Sequence, residues 1–313
     1  MTACQLRLPD IVRSRAENLG DQGERWLADL AAAVEYHESA WSLRLGEVLT
    51  GGSESLVVAA VCEDGTDAVL KIGLTGSADL AQEAHVYHLA AGRGYARLIQ
   101  HDSSHNSLLM ERLGPPLANR GLSIEENIAR ICLTLEEAWT PLDSTHEPMT
   151  GAEKAQWLAE FIAKKWDELA RPCNKRTIER ALSFAEERKA AHSSKTSVLV
   201  HGDANTLNTL SVTHNDEPGA PRCKFVDPDG LFAERACDLA VPMRSWNPEL
   251  LAGDTVKLAR ERCELLSELT AVDSRAIWQW GFIERVSTGL VLRELGQERE
   301  SVAYLEVAQR LCA

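Results

Sequence analysis

The sequence predicts an α+β fold with two lobes, a small N-terminal antiparallel β lobe with one key helix and a larger, mostly helical C-terminal lobe. Short β-branched and apolar segments separated by turn residues fill the first third of the chain, and long helix candidates fill most of the rest. The boundary is expected at Gly114-Pro115-Pro116, because prolines cannot continue a strand ladder. We therefore expect an N-terminal lobe at 1–113, with a leading helical segment at 1–40, and a C-terminal lobe at 114–313.

The predicted elements of the first lobe alternate between periodic segments and turns. Residues 10–38 are predicted to be helical and amphipathic. "TGGSE" and "EDGTD" separate strand-like segments, which indicates an antiparallel meander. The remaining predictions are strands at 41–49, 55–62 and 67–74, a helix at 77–92 that stops at Gly92, and strands at 95–102 and 106–113.

The second lobe is predicted to be helical around a short β-rich island at 197–229, whose hairpin loop is "HNDEPGAP" at 214–221. Tryptophans in apolar settings are expected in the core: Trp26, Trp41, Trp139, Trp157, Trp166, Trp278 and Trp280. The helix candidates are 123–139, 151–170, 174–192, 234–246, 254–269, 273–295 and 297–311.

Composition and charge exclude several classes of function. The formal net charge of the 313 residues is −14, which argues against nucleic acid as a partner and would favour a cationic ligand, although acidity for solubility alone explains it equally well. The eight cysteines form no C-x-x-C pair, which argues against a disulfide scaffold. We found no apolar run long enough for a signal peptide or a membrane span. We expect a cytoplasmic protein without a membrane or nucleic-acid partner, a monomer or weak dimer.

The stretch "LVHGDANTLNTL" at 199–210 places Asp203 five residues before Asn208, directly after an apolar run. Such polar residues can simply form a surface turn. The same spacing occurs in phosphotransferase loops in which the Asp handles the acceptor hydroxyl and the Asn binds a metal ion. Asp227 in "KFVDPDG" follows the next strand-like segment, and a carboxylate there can bind Mg²⁺. His201 is expected to brace the loop by hydrogen bonding.

Lys71 in "AVLKIG" is the candidate phosphate contact, since it lies on a predicted strand and is the only lysine among residues 1–92. Glu83, on the following helix, is its expected ion-pair partner, with Asp79 and Glu54 as substitutes. The alternatives are an edge lysine that protects the sheet and a glutamate on a solvated helix face.

The turn "TGGSES" lies between the first two predicted strands and is the candidate phosphate loop. Gly51 and Gly52 would let the backbone approach phosphates, and the hydroxyls of Ser53 and Ser55 could add donors. A plain hairpin turn explains the same residues.

Two histidine pairs have spacings that could bind a metal, His85 with His88 and His101 with His105. Neither pair has a third ligand nearby in the sequence, which argues against a zinc site.

The order Lys, Glu, Asp-x-x-x-x-Asn, Asp is carried by "GGSESLVVAAVCEDGTDAVLKIGL", "LIQHDSSHNSLLMERLG", "VLVHGDANTLNTL" and "FVDPDGLFAERACDLAVPMRSWN". These segments resemble the aminoglycoside phosphotransferases, which have a protein-kinase-like fold, and most closely the streptomycin 6-kinase and hydroxyurea kinase group. The resemblance covers nearly the whole chain. It implies that Asp203 is catalytic, that Asn208 and Asp227 bind Mg²⁺ and that Lys71 contacts the phosphates of ATP or GTP.

The resemblance also implies an adenine site against the backbone of Glu111 to Leu113, with Met110 lining the pocket behind. The family often has Leu-His after the loop Asp, where this chain has Ala204-Asn205. This departure preserves the metal spacing but puts the packing of the loop and the hold on the acceptor in doubt.

The acceptor is expected beside Asp203, on residues that follow the Mg²⁺ segment: Asp238, Arg244, Trp246, Asn247 and Glu249. Carboxylates and an aromatic face suit a cationic sugar. The alternative for Asp238 is that it braces the catalytic loop by hydrogen bonding, and the alternative for Trp246 is a place in the core. The resulting expectation is a kinase for a streptomycin-like aminoglycoside that confers antibiotic resistance. Hydroxyurea or another small metabolite as acceptor, and a non-catalytic nucleotide-binding module, are the alternatives.

Overall fold

The structure is a computed structural model that describes residues 7–50, 52–141, 148–212 and 222–312. The chain divides into two compact units. Unit one comprises Met1–Pro115 and Leu210–Val226, and unit two comprises Pro116–Thr209 and Asp227–Ala313. The segment 210–226 thus groups with unit one, whereas the sequence placed it in the second lobe. The functional assignment of the two predicted lobes stays a prediction.

Unit one is built on a five-stranded antiparallel sheet in the order β1-β2-β3-β5-β4. The first three strands form the predicted meander, and β5 lies between β3 and β4. Its elements are α1 (Asp10–Asn18), α2 (Asp21–Ala40), β1 (Arg44–Val48), β2 (Ser55–Val61), β3 (Asp67–Gly73), α3 (Leu80–Ala90), β4 (Leu98–Asp102) and β5 (Ser107–Glu111).

The leading segment, predicted to be helical over 10–38, is helical and consists of two helices. The chain turns at Gly20, whose φ of +57° lies in the left-handed region that favours glycine. α1 then packs so closely on α2 that a Cβ on Gly23 would lie 1.8 Å from the carbonyl oxygen of Ala16. The two helices and the sheet share one apolar core, and the indole Nε1–H of Trp26 donates to the carbonyl of Gly73 (2.9 Å).

Unit two is mostly helical, and α10 packs against α5, α6, α7, α9 and α11. Its short strands β6 and β9 pair in antiparallel register. The strands β7 and β8, which lie almost wholly in the Leu210–Val226 segment of unit one, form a separate two-stranded sheet. The remaining elements are α4 (Ile124–Ala138), α5 (Gly151–Glu168), α6 (Lys175–Ala191), β6 (Val198–Val200), β7 (Thr209–Ser211), β8 (Cys223–Phe225), β9 (Leu231–Ala233), α7 (Ala236–Arg244), α8 (Asn247–Leu251), α9 (Thr255–Thr270), α10 (Ser274–Glu294) and α11 (Glu298–Arg310). The predicted hairpin loop at 214–221 lies outside the described residues.

The burial of the tryptophans was predicted correctly at some positions and incorrectly at others. Trp26, Trp139 and Trp280 are buried as predicted. Trp157 is 53% exposed and stacks on Phe161 along the outer face of α5, so its assignment to the core was wrong. No helix in the described part of the chain is both long and apolar enough to cross a membrane.

Candidate functional site

The predicted catalytic loop follows β6 in unit two and is held by Asp238. Both carboxylate oxygens of this buried residue accept hydrogen bonds: Oδ2 from the backbone N–H of His201 (3.0 Å) and Oδ1 from that of Gly202 (2.8 Å). Trp139 Nε1–H also donates to Oδ2 (2.9 Å). Asp238 therefore braces the loop as expected, and because it is fully buried it cannot contact an acceptor in this structure.

Asp203 is half-buried, and its carboxylate accepts from side-chain donors of Arg244, Asn205 and, at 3.4 Å, Asn208. A guanidinium nitrogen of Arg244 lies 2.9 Å from its Oδ1, and the amide nitrogen of Asn205 lies 2.8 Å from its Oδ2. The backbone N–H of Asp203 donates to His201 Nδ1 (3.1 Å). The carboxylate is thus fixed in position while it remains accessible from one side.

Asn205, at the departure from the family pattern, organises the loop around itself. Its Oδ1 accepts from the backbone N–H groups of Leu207 (2.8 Å) and Asn208 (3.1 Å), as in turns closed by an asparagine side chain. Asn208 in turn donates from Nδ2 to the carbonyl oxygen of Asp203 (3.1 Å). Ala204 is fully buried and adds no polar group. The replacement of Leu-His by Ala-Asn therefore leaves a closed, hydrogen-bonded loop.

Asp227 begins the second segment of unit two and has a φ of +56°. Non-glycine residues seldom adopt this left-handed conformation, although Asp tolerates it better than most residues. Its side chain is exposed, in the "VDPDG" turn that links β8 to β9. Such backbone strain often marks a functional position.

A buried ion pair lies beneath the loop. Lys154 of α5 and Glu284 of α10 are 2.8 Å apart, and each side chain is 10% exposed. Burial opposes their charges, but the pair still raises the pKa of Lys154 and, together with Arg244, lowers the pKa of Glu284. Lys154 Nζ also lies 3.5 Å from the carbonyl oxygen of Gly202. The pair thus connects two long helices to the loop that carries Asp203.

In unit one, Lys71 of β3 and Glu83 of α3 form the predicted ion pair. Nζ lies 2.6 Å from Oε2, and each side chain is 8% exposed. Tyr87, one turn further along α3, donates its hydroxyl to Glu83 Oε1 (2.9 Å). Asp79 caps α3 instead, accepting from the N–H of Ala81. Removing an ammonium and a carboxylate from water costs free energy. A buried pair of this kind is therefore more typical of a functional site than of a solvated helix face.

The candidate phosphate loop lies between β1 and β2. Ser53 is half-buried, and Ser55, the first residue of β2, is buried. A Cβ on Gly52 would make only ordinary contacts with Ser55 and Val57, so packing alone does not require glycine there. Gly51 lies outside the described residues. The phosphate-binding role of this loop stays a prediction.

The predicted adenine segment follows β5. Met110 is buried in the sheet, and the N–H groups of Glu111 and Arg112 donate to the carbonyl oxygens of Arg97 and Asp67. The carboxylate of Glu111 pairs with Lys224. Within the described residues, no hydrogen bond engages the backbone N–H of Leu113. The adenine roles of these residues stay predictions.

Comparison with known proteins identifies the family. A family model described as "Aminoglycoside/hydroxyurea antibiotic resistance kinase" matches residues 41–296. The chain belongs to this family. It is therefore a small-molecule kinase, a phosphotransferase with an alcohol group as acceptor, and the predicted family resemblance is confirmed.

Two relatives and one solved structure show which kinases this chain is similar to. It is 26% identical to a streptomycin 6-kinase of Streptomyces glaucescens over 99% of this chain and 98% of that protein. It is 33% identical to a hydroxyurea phosphotransferase of Kitasatospora aureofaciens, over 37% and 33% of the two chains. The choline kinase LicA from Streptococcus pneumoniae has the same fold, with a TM-score of 0.60, 13% identity and coverage of 90% and 98%. The predicted protein-kinase-like fold is confirmed.

The kinase's predicted acceptor residues around α8 have different surroundings. Trp246 is half-buried with a φ of +51°, and the guanidinium of Arg262 lies over its ring at 5.4 Å. Glu249 is exposed. Asn247 is buried, donates to the carbonyl of Arg244 (2.9 Å) and accepts from Arg285. The predicted acceptor role of Asn247 therefore finds no support in this placement, whereas Trp246 and Glu249 remain candidates.

Four residues that support the predicted catalytic loop were not predicted in that role from the sequence. Arg244 was predicted only as an acceptor contact, although it pairs with Asp203. Asn205 was noted only as a departure from the family pattern. Asparagine is nevertheless a known turn-closing residue, since its side chain accepts from the backbone N–H two residues later. Lys154 and Glu284 gave no local signal, because they lie far apart in the sequence on two ordinary amphipathic helices.

Proposed function

We propose that the protein transfers the γ-phosphate of ATP to a hydroxyl group of a streptomycin-like aminoglycoside in the presence of Mg²⁺. The observation that carries this proposal is the carboxylate of Asp203. It is fixed by Arg244 and Asn205, stays partly accessible, and lies in a chain that aligns over 99% of its length with a streptomycin 6-kinase.

Asp203 is proposed to accept or orient the proton of the acceptor hydroxyl. Arg244 and Asn205 each use one lone pair of its carboxylate, and an ionised carboxylate has others free for a hydroxyl donor. Fixing both oxygens holds the base in one orientation, and such positioning contributes much of the rate in phosphoryl transfer.

Asn208 and Asp227 fit a Mg²⁺ ion by their chemistry, because Mg²⁺ prefers oxygen ligands. The amide nitrogen of Asn208 donates to the backbone of Asp203, so its other atom, the amide oxygen, is the one left for a metal. The exposed carboxylate of Asp227 supplies an anionic oxygen. When bound, Mg²⁺ would neutralise charge that develops on the transferred phosphoryl group.

The nucleotide is proposed to use unit one. The ammonium of Lys71, oriented by Glu83, would contact the phosphates, with further donors from the turn that contains Gly52, Ser53 and Ser55. The backbone N–H of Leu113, which donates to none of the described residues, suits a hydrogen bond to the adenine edge.

A cationic acceptor is favoured over a neutral one. The chain carries a formal net charge of −14, and Glu249 and the ring of Trp246 offer a carboxylate and an aromatic face. Hydroxyurea is the second candidate acceptor, since the chain shares 33% identity with a hydroxyurea phosphotransferase over 37% of its length.

The test is a phosphorylation screen with streptomycin, hydroxyurea and an amino alcohol, each with ATP or GTP, followed by mass spectrometry of the acceptor. The proposal expects streptomycin to gain one phosphoryl group, with loss of the product when EDTA removes Mg²⁺. Phosphorylation of hydroxyurea but not of streptomycin would show that hydroxyurea is the acceptor. Nucleotide binding without a phosphorylated product from any acceptor would favour a non-catalytic module and overturn the proposal.

A further inference from the structure

A cluster of metal-ligating side chains lies in unit one, outside all residues assigned above to nucleotide, Mg²⁺ or acceptor. His37 lies in the last turn of α2, Asp102 ends β4, and His105 lies in the turn before β5. One ring nitrogen of each histidine and one carboxylate oxygen of Asp102 all lie within 4.8 Å of one another. The sequence argued against a zinc site because neither histidine pair has a third ligand nearby in the chain. In the folded chain, His37 and Asp102 both lie beside His105.

His37 is the observation that points to a ligand. It is fully buried, its Nε2 lies 2.8 Å from Ser107 Oγ, and its Nδ1 has no hydrogen-bond partner in the described residues. A buried polar atom without a partner costs free energy, so such an atom requires an explanation. With the ring proton on Nε2 and donated to Ser107, Nδ1 keeps a lone pair. This is the arrangement of a metal-ligating histidine, whose other nitrogen donates to an outer partner.

The ligand types of the cluster suit a cation, because a neutral imidazole and an ionised carboxylate are the protonation states that bind metals.

We propose that His37, Asp102 and His105 form a site for one Zn²⁺ ion that joins the end of α2 to the β4–β5 turn. Two imidazoles and a carboxylate are a common zinc ligand set, and a fourth tetrahedral position remains for water. Borderline ligands of this kind select zinc over Mg²⁺.

The geometry requires a small contraction. Zinc–ligand distances of about 2.0–2.1 Å place tetrahedral ligand atoms about 3.3 Å apart, so the atoms of this cluster need to approach by at most about 1.5 Å from their limit of 4.8 Å. His105 and Asp102 are only half-buried and lie at a turn, which leaves them room to move. His105 Nδ1 now lies 2.8 Å from Asp102 Oδ2, and the metal would take the place of this hydrogen bond.

The site would stabilise the part of unit one that carries the Lys71–Glu83 pair. Asn106, in the same turn, accepts from the N–H of Leu80 at the start of α3 (3.0 Å) and donates to the carbonyl of Ala78 (2.8 Å). The inference does not depend on the proposed reaction, because its test measures metal binding without nucleotide or acceptor.

The test is isothermal titration of the full chain, freed of metal with EDTA, with ZnCl₂ in excess MgCl₂. We expect one Zn²⁺ per chain and a higher thermal unfolding midpoint with Zn²⁺. His105→Ala should weaken binding by at least about 100-fold, and Ser107→Ala, which removes the outer partner of His37, by about 10–100-fold. His101→Ala is the matched control, since His101 is an exposed histidine of β4, and it should bind as the wild type does.

Two results would overturn the inference. One is wild-type protein that shows neither binding heat nor a shift of the midpoint with Zn²⁺. The other is binding of equal strength in wild type, His105→Ala and His101→Ala, which would assign the metal to other groups such as the cysteine thiols. Asp102→Asn, which keeps the side-chain acceptor of the turn, provides a second test should His105→Ala fold poorly, as circular dichroism without metal will show.

Discussion

Replacing Lys154 by methionine removes the cation of the buried pair beneath the predicted catalytic loop and leaves the carboxylate of Glu284. Both side chains are 10% exposed, so water compensates little for the lost partner. In the wild type, the lowered pKa of Glu284 means that its ionised form stabilises the fold at pH values above its ordinary pKa of 4.5, and this stabilisation is lost in acid. In the variant, Glu284 must either stay charged without its partner or take up a proton.

The free energy needed to protonate Glu284 sets an upper limit on the electrostatic cost of removing Lys154. Protonating at pH 7 a glutamate with an ordinary pKa of 4.5 costs about 3.4 kcal/mol, at about 1.36 kcal/mol per pH unit. The lost hydrogen bond adds about 1 kcal/mol, and the nearby guanidinium of Arg244 offsets part of the total. We therefore expect Lys154→Met to lower the free energy of unfolding by about 2–4 kcal/mol at pH 7. At pH 5 the protonation cost falls to about 0.7 kcal/mol, so the difference from wild type should shrink.

The assay is urea unfolding followed by circular dichroism at pH 7 and pH 5, with Glu284→Gln and the double variant completing a thermodynamic cycle. Lys165→Met is the matched control, because Lys165 pairs with Glu294 across the same two helices at 2.6 Å but nearer the surface. It should cost much less than Lys154→Met, because solvent screens an ion pair near the surface.

The reasoning is refuted if Lys154→Met unfolds at the wild-type urea concentration. It is also refuted if the costs of the two single variants simply add in the double variant, because no coupling would then exist. A cost that does not shrink between pH 7 and pH 5 would contradict the role given to the Glu284 carboxylate.

Three further predictions concern other contacts. Glu83→Gln should raise the KM for nucleotide at least about tenfold, because Lys71 loses its carboxylate, whereas an unchanged KM in steady-state assays would contradict that role. Asn205→Ala should lower kcat by about 10–100-fold with little change in nucleotide KM, and equal loss in both would indicate general damage to the fold. Trp280→Ala should cost about 3–5 kcal/mol of stability and Trp157→Ala less than about 0.5 kcal/mol, and thermal unfolding that ranks them otherwise would contradict the observed burial.

The parts of the fold and site that follow local rules were predictable from the sequence. The strand with Lys71 and the helix with Glu83 were both predicted from local patterns, and the need of a buried strand lysine for an anionic partner predicted the pair with Glu83 on the following helix. The loop from His201 to Asn208 was predicted from the Asp-to-Asn spacing, whereas the bracing role of Asp238 was predicted from the resemblance to related folds.

The rest depends on contacts between distant segments. The sequence indicates helical structure over 10–38 without locating the turn at Gly20, because the apolar spacing continues across it. The close approach of Gly23 to Ala16 appears only when the two helices pack. Trp157 was misplaced because an aromatic residue on an amphipathic helix also fits its exposed edge. Neither Lys154–Glu284 nor the meeting of His37 with the β4–β5 turn leaves a sequence signal, since folding alone brings these residues together.

The most direct test of the proposed function is the rate of a single turnover by Asp203→Asn with ATP, Mg²⁺ and streptomycin, measured beside its affinity for ATP. The substitution keeps the size of the side chain and removes the basic carboxylate. The account predicts a loss of about 10²–10⁴-fold in rate with nearly unchanged ATP affinity. Phosphorylation of streptomycin at the wild-type rate by this variant would contradict it.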